Sequence, residues 1–327
     1  MSRIWQASAP VTLYHDGKCP LCQREVAWLA RHPGRERVRT VDIRASDFSS
    51  QALGLSFETM MGRLHVQDAR GEWYVGMDAS RALYAVLGYR RLVHLSSPSI
   101  YFDGKSHRDV TEDFVPPRFF DHYGATKHLA DQRVFAAGQA GLEVIALRPR
   151  FVIGAGDTSI FPRLLRAHQS GRLRIIGDGT NRVDLTPVEN VNLAMHAALN
   201  ASPSALGRAY NISNGEPVAF WDQFNRLLVR LGMPPLRRHI PFPLAYGMAA
   251  LAEVRARLTP GQPEPAILRL GMAVMARNFN LDISGARQHL DYQPKVATEQ
   301  GIEHFATWWQ AGMPSLADYL PAVDAHR

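Results

Sequence analysis

Leu92-Val93-His94-Leu95-Ser96-Ser97-Pro98-Ser99-Ile100-Tyr101, with Tyr123-Gly124-Ala125-Thr126-Lys127 downstream, decides how the larger part of this chain folds. The first piece is an apolar run ending in serines, which predicts a buried strand that breaks at Ser96-Ser97. The second opens a helical pattern carried on by His128, Leu129, Ala130, Gln132, Val134 and Phe135. On that helix Tyr123 and Lys127 are one turn apart and share a face. An ammonium beside a phenol favours the phenolate, so Tyr123 is expected to titrate lower than a free phenol. A nearby serine hydroxyl would hold a carbonyl oxygen while the tyrosine gives or takes its proton. That is the chemistry of carbonyl reduction with a hydride donor. The chain has 10 Tyr and only four Lys, so Tyr-x-x-x-Lys arises by chance about 0.1 times. The plainer readings are an exposed helix pair without a role and a strand-ending Ser97 bonded to the backbone.

Moving outward, five runs stand in order: LVHLSSPSIYF (92–102), YGATKHLADQRV (123–134), VIALRPRFVIGAGD (144–157), GRLRIIGDGTNRVDLTPVENV (171–191) and GRAYNISNGEP (207–217). On these runs, residues 92 to about 310 resemble the extended short-chain dehydrogenase/reductase superfamily, within it the 3β-hydroxysteroid dehydrogenase-like branch and the 2-alkyl-3-oxoalkanoate reductases of bacterial olefin synthesis. The resemblance implies a Rossmann-type α/β domain, an NAD(P) cofactor, Ser97 as the carbonyl-orienting serine and Tyr123 as acid/base. It implies Lys127 as the ribose-binding and pKa-lowering residue, and a backbone near Pro149 that passes the nicotinamide.

Toward the amino end, Val11–Tyr14 reads as a strand, Cys19-Pro20-Leu21-Cys22 as a turn into a helix with Val26, Leu29 and Ala30 on one face, and Val38–Ile43 as a second strand. Arg63–Gln67 and Trp73–Val75 bracket Asp68-Ala69-Arg70-Gly71 as a hairpin, and Ala79–Leu87 closes the segment as a helix ended by Gly88. Residues 1–10 read as a frayed lead. Strand, Cys-x-x-Cys, helix, strand, hairpin, helix is a thioredoxin-like order. YHDGKCPLC (14–22) and VQDARGEWYVGMDASRALYAVL (66–87) resemble the DCC-type thiol-disulfide oxidoreductases. The chain's two cysteines stand three apart, which random placement gives in under about 1% of cases. Cys19, just before a helix N-terminus, is the expected attacking thiolate; Cys22, one turn inside, is the resolving sulfur of a redox-active Cys19–Cys22 disulfide. A zinc half-site and an inert pair are the rival readings; zinc lacks ligands here and no metal is expected. Residues 35–97 contain no proline, a departure from thioredoxin-like proteins that place a cis-proline before the third strand.

The predicted organisation is therefore two α/β modules: a thioredoxin-like domain at 1–90 and, at 91–327, a partial Rossmann-type domain without its Gly-rich nucleotide-binding half. Gly54, Gly62, Gly71 and Gly76 fit neither G-x-G-x-x-G nor G-x-x-G-x-x-G, so pyrophosphate binding at a helix N-terminus is not provided for. NAD(P) binding is accordingly expected to be weak. The exposed edge of the serine strand should be covered by the first sheet or by a second copy, making a homo-oligomer.

The expected activities are thiol-disulfide exchange with a thiol or disulfide partner, and NAD(P)-dependent 3-oxo/3-hydroxy interconversion on a small apolar carbonyl or hydroxy substrate. The rivals are a non-catalytic module binding a lipid-like ligand and an inactive fusion. Residues 240–276 are the most apolar region and read as a lid over a long apolar substrate, as ordinary packed helices, or as a surface membrane contact. The net charge of +7 comes from 37 basic against 30 acidic residues; it is spread out, with no basic run interleaved with aromatics, so nucleic-acid binding is not expected. No apolar stretch reaches the length of a membrane span, no secretory core is visible in the first 18 residues, and two cysteines suit a reducing cytoplasm.

Overall fold

The computed structural model describes residues 7–261, 265 and 267–314. The expected lead at 1–10 and the Pro-rich break at 260–265 lie partly outside them. Two compact units divide the chain: one takes the residues up to Leu92 together with Ala136–Glu143, the other Val93–Phe135 and the residues from Val144 on.

In the first unit, β1 (Val11–His15) leads into α1 (Pro20–Leu29) and β2 (Val38–Asp42). After α2 (Phe57–Gly62) come β3 (His65–Gln67), β4 (Trp73–Val75) and α3 (Met77–Val86). The sheet order is β2-β1-β3-β4, with β1 parallel to β2 and antiparallel to β3, and β3 antiparallel to β4. Pro20 opens α1 where no N–H is needed. The hairpin is set by Asp68, whose Oδ1 accepts from the backbone N–H of Arg70 (2.9 Å) and Glu72 (3.0 Å). Gly71 completes the turn at φ 84°. The core joins Val11, Leu13, Val66 and Tyr74 of the sheet to Ala79, Ala82, Leu83 and Val86 of α3. Leu29 packs into it as expected, but Ala30 does not: the helix ends at Leu29, and Ala30 caps it in solvent.

β5 (Arg91–Leu95) runs across the division and ends at Ser96-Ser97, where the backbone turns into a 3-10 segment, Pro98–Tyr101. Then follow β6 (His107–Val110), α4 (His122–Gln139), which also crosses the division, β7 (Glu143–Pro149) and β8 (Val152–Ile153). The second unit continues through α5 (Phe161–Gln169), β9 (Ile175–Ile176), β10 (Arg182–Val183), β11 (Thr186–Pro187), α6 (Val188–Leu199), β12 (Arg208–Ile212), β13 (Val218–Ala219) and α7 (Phe220–Arg230). It ends with β14 (His239–Ile240), α8 (Phe242–Leu258), α9 (Arg269–Ala276), β15 (Phe279–Leu281), α10 (Ser284–Leu290) and α11 (Thr298–Gln310).

Its organising sheet has the order β12-β7-β5, with β12 parallel to β7 from Arg208↔Ile145 to Ile212↔Pro149. β7 is flanked on both edges, and Val144–Arg148 are all buried. A second sheet has the order β13-β10-β15-β6. The apolar core gathers Ile145, Leu147, Tyr210 and Ile212 of the sheet with Ala194, Ala198, Ala286 and Leu290 of α6 and α10.

The expectation of a buried serine strand is not met. β5 is the edge of its sheet, and Leu92 and Leu95 are 38% and 42% exposed. The edge position alone does not expose them: β12 is the other edge, yet its Tyr210 and Ile212 are buried in the core with α6 and α10, a cover that Leu92 and Leu95 lack. β6 was not expected at all. Its His-Arg-Asp-Val has no apolar alternation, and it forms because β15 pairs with it, Phe279↔His107 and Leu281↔Val110.

Candidate active sites

The thiol site lies in the first unit. Cys19 occupies the N-cap of α1 in an extended conformation (φ −80°, ψ 119°), so its sulfur faces the free N–H groups of the first turn. Hydrogen bonds from the Cys22 backbone N–H and the Cys22 thiol hold Cys19 below the ordinary thiol range. Burial first, and then the neighbouring Cys19, push Cys22 above it. The two cysteines are 3.4 Å apart and both are free. The expected disulfide is thus not the state seen; the pair is a dithiol. The turn before it is closed by Asp42, whose Oδ1 accepts from the Gly17 N–H at 2.9 Å. A Cβ on Gly17 would stand 2.0 Å from that carboxylate, so glycine is required there.

The second site is assembled in the second unit at the ends of β5 and β7. Asp121 starts α4: its Oδ1 accepts from the Gly124 N–H at 2.8 Å. Gly124 lets the helix start lie on the serine turn, since a Cβ there would come within 2.7 Å of the Ser99 carbonyl oxygen. One turn on, Lys127 Nζ donates to the Leu95 carbonyl at 3.2 Å and stands 5.9 Å from the centre of the Tyr123 ring. Tyr123 is 51% exposed. Ser97 caps the 3-10 segment: its Oγ accepts from the Ser99 N–H at 3.2 Å and shares a hydrogen bond with Ser99 Oγ at 2.9 Å. Pro149 closes β7 opposite Ile212. Ser97, Tyr123 and Lys127 are thus joined through Leu95, Ser99 and Gly124, with Pro149 at the end of the adjacent strand.

Beneath α4 lies a network that no local motif announces. Asp131 is buried and receives Arg148 Nη2 at 2.8 Å and Nε at 3.1 Å, with His94 Nε2 3.2 Å away. Burial alone would raise the Asp131 carboxyl; hydrogen bonds from His94 and Ser96 and the Arg148 charge outweigh it and hold it below the usual carboxylate range. Arg148 also donates to the Tyr101 hydroxyl, which donates to Asn211 Oδ1 at 2.9 Å. Helix, serine strand, 3-10 turn and strands β7 and β12 are tied together this way. A second polar pair, Arg150 and Asp184, is buried nearer the C-terminal strand ends. Burial pulls Arg150 down to about 10 and pushes Asp184 up to about 6. Phe151 and Phe279 cover the guanidinium at 3.9 and 4.8 Å.

At the start of α4, against His122 and Ala125, opens a cavity of about 800 Å³. Arg118–His122 and Ala125 form one wall, and Tyr246, Glu253, Ala256 and Arg257 of α8 with Leu268–Leu270 at α9 form another.

Residues 13–108 match the DCC1-like thiol-disulfide oxidoreductase family, and residues 67–213 match the NAD dependent epimerase/dehydratase family. The 2-alkyl-3-oxoalkanoate reductase of Stenotrophomonas maltophilia (strain K279a) is 37% identical over 239 residues, 70% of this chain and 71% of that one. The chain belongs to the NAD dependent epimerase/dehydratase family. It also carries a DCC1-like thiol-disulfide oxidoreductase domain, so both matches make it an oxidoreductase by family. Further away, the 3beta-hydroxysteroid-dehydrogenase/decarboxylase isoform 1 of Arabidopsis thaliana is 35% identical over 231 residues, 66% of this chain and 52% of that one. Among solved structures, UDP-glucuronic acid 4-epimerase from Bacillus cereus in complex with NAD aligns with a TM-score of 0.53 at 21% identity, covering 72% of this chain and 67% of that one. That likeness is one of fold.

The family's dinucleotide finds only part of a fit. Ser97, Tyr123, Lys127 and Pro149 are the residues that would meet its nicotinamide end. Among the described residues before β5, glycines stand between a strand and a helix at Gly17, Gly54 and Gly76, and each N–H is already taken, by the Asp42 carboxylate, the Gln51 carbonyl and the Leu64 carbonyl in turn.

Proposed function

We propose that the chain is a two-module oxidoreductase, with a thioredoxin-like module at 1–90 and a partial Rossmann-type reductase at 91–327. In the second module the reading is NAD(P)-dependent interconversion of a 3-oxo and a 3-hydroxy group on an apolar, steroid-like or long-chain substrate. The observation that supports it is the attachment of the Tyr123–Lys127 helix start to the serine turn, through Gly124 on Ser99 and Lys127 on the Leu95 carbonyl. In reduction, Ser97 Oγ turns its hydrogen from Ser99 toward the carbonyl oxygen and orients it. Tyr123 gives its phenolic proton to that oxygen as it becomes a hydroxyl, and the Lys127 ammonium stabilises the phenolate left behind. Bound nicotinamide dinucleotide would supply the hydride. The 800 Å³ cavity at the start of α4, the helix that carries Tyr123, has room for a long apolar substituent. The test is reduction of a 2-alkyl-3-oxo acid with NADH and with NADPH. Tyr123→Phe should abolish turnover, and Lys127→Ala should lower it at least about tenfold. Turnover undiminished in Tyr123→Phe would place the activity elsewhere.

A second activity, thiol-disulfide exchange, is favoured by the asymmetry of the cysteine pair. Cys19 is activated at a helix start while Cys22 is held as thiol. Cys19 would attack a partner disulfide to give a mixed disulfide; Cys22 would then displace the partner's second thiol and form the Cys19–Cys22 disulfide. The sheet order β2-β1-β3-β4 with α1 behind the cysteines supports the thioredoxin-like reading. Reduction of a model disulfide should be lost in Cys19→Ser, and a variant that keeps full rate would refute the assignment.

A further inference from the structure

Helix α8 is built inside out. Its inward face is small: Ala245, Ala249 and Ala256 are the buried residues. Its large apolar side chains point the other way. Leu244, Met248, Leu251, Val254 and Leu258 are all exposed, Leu251 by 72% and Leu258 by 80%. Spaced by three and four, they form one stripe over about 21 Å of helix. A stripe of this kind costs free energy in water, and a helix that hid alanines while displaying leucines would gain by turning over unless something covers its outer face.

Charge decides what covers it. The one acidic residue of α8, Glu253, is on the inner side, bonded to the Arg269 N–H and Nε at 2.8 Å each. The exposed charged residue beside the stripe at the helix end is Arg255, and Arg237 and Arg238 are exposed just before β14 leads in. An apolar face whose charged neighbours, among the described residues of α8 and its lead-in, are cations with long stems that can lie along a hydrocarbon boundary complements an anionic phospholipid surface. A second copy of the chain would bring the same cations against these, which opposes self-pairing through this face. Among the described residues no helix is long and apolar enough to cross a bilayer, so the contact is one of surface insertion.

We infer that α8 is a membrane-surface helix that seats the protein on anionic lipid by its Leu244–Leu258 stripe. The opposite side of the same helix lines the cavity at the start of α4 through Tyr246, Glu253, Ala256 and Arg257. One helix thus has lipid on one face and the cavity on the other, which gives an apolar ligand a short path from bilayer to cavity. The lipid contact does not depend on the reductase reading, and its test measures binding alone, so either can fail without the other.

The experiment is density-gradient flotation of the full chain with phosphatidylcholine vesicles, plain or with about one quarter phosphatidylglycerol. The chain should float with the anionic vesicles and release as salt rises. Leu251→Asp/Leu258→Asp should lower the bound fraction at least about tenfold with the melting temperature unchanged. Arg255→Glu should weaken only the binding to anionic vesicles. If the double aspartate variant melts early, Met248→Ser/Leu251→Ser carries the test. The inference is overturned if the chain stays with the soluble fraction at both compositions, or if the variants float as well as the parent. It is also overturned if light scattering finds a dimer that Leu251→Asp splits, which would give the face to a second copy.

Discussion

At the scale of single residues, Cys19 and Cys22 should separate cleanly by pH. Alkylation with mass mapping is expected to find Cys19 reactive well below the free-thiol value of about 8.5, with Cys22 lagging. Cys22→Ala should move Cys19 part of the way back up, because the thiol hydrogen bond goes while the backbone N–H stays. Equal profiles for the two sulfurs would refute this. Two buried carboxylates make opposite contributions to stability. Asp131 is held low by its partners, so it stabilises the fold above about pH 4 and that contribution is lost as pH falls further. Asp184 is held up at about 6, so the folded state binds its proton more tightly and stability from this group falls as pH rises from about 4 to about 6. Denaturant midpoints against pH should therefore flatten below pH 4 in Asp131→Asn and between 4 and 6 in Asp184→Asn. Cys19, Cys22, Tyr123 and Lys127 are legible in sequence because their chemistry lies within one helical turn. Asp131 and Arg148 are 17 residues apart and Tyr101 and Asn211 are 110 apart, and no spacing rule links them.

At the scale of elements, the seat of α4 on the serine turn should be sensitive to one methyl group. Gly124→Ala gains about 1 kcal/mol of helix propensity but drives a Cβ into the Ser99 carbonyl, where overpacking costs about 1–3 kcal/mol. The expected outcome is a slightly less stable protein with a disproportionate loss of reductase rate, read by melting and turnover together. The buried Arg148–Asp131 pair holds the same helix from below; Asp131→Ala leaves a buried guanidinium unpaired and should cost about 3–5 kcal/mol. Helices and the hairpin follow from periodicity and turn residues, and the second hairpin strand, Trp73–Val75, agrees with the structure residue for residue. β6 and the edge position of β5 do not follow, because a strand's partners and flanks come from distant segments. The exposure of Leu92 and Leu95 is invisible in a run that looks apolar enough for a core.

At the scale of the whole molecule, the dinucleotide is the open term. Its affinity rests mainly on pyrophosphate bonds to a Gly-rich turn, and the turn of β1 and α1 offers a carboxylate there instead. On the partial-site proposal, several charge-assisted hydrogen bonds at about 1.5–3 kcal/mol each would be missing. Calorimetric titration of this chain with NADH or NADPH should give a dissociation constant weaker than about 10 μM; a tighter one would falsify the partial-site reading. The mixed α/β class, with its Rossmann-like likeness, was legible from the order of the motifs, but the way the chain is shared between its two units was not.

That sharing limits how the protein can be taken apart. Ala136–Glu143 belongs with the residues up to Leu92, and there the Glu143 N–H donates to the Arg90 carbonyl at 2.9 Å while its carboxylate meets Arg91 at 2.8 Å. The chain passes from one unit to the other at three points, so no single cut yields two whole pieces. A fragment ending at residue 92 would lack a segment threaded back from the middle of the chain. Supplying Ala136–Glu143 as a separate peptide, or joining it by a loop, would be needed to restore it.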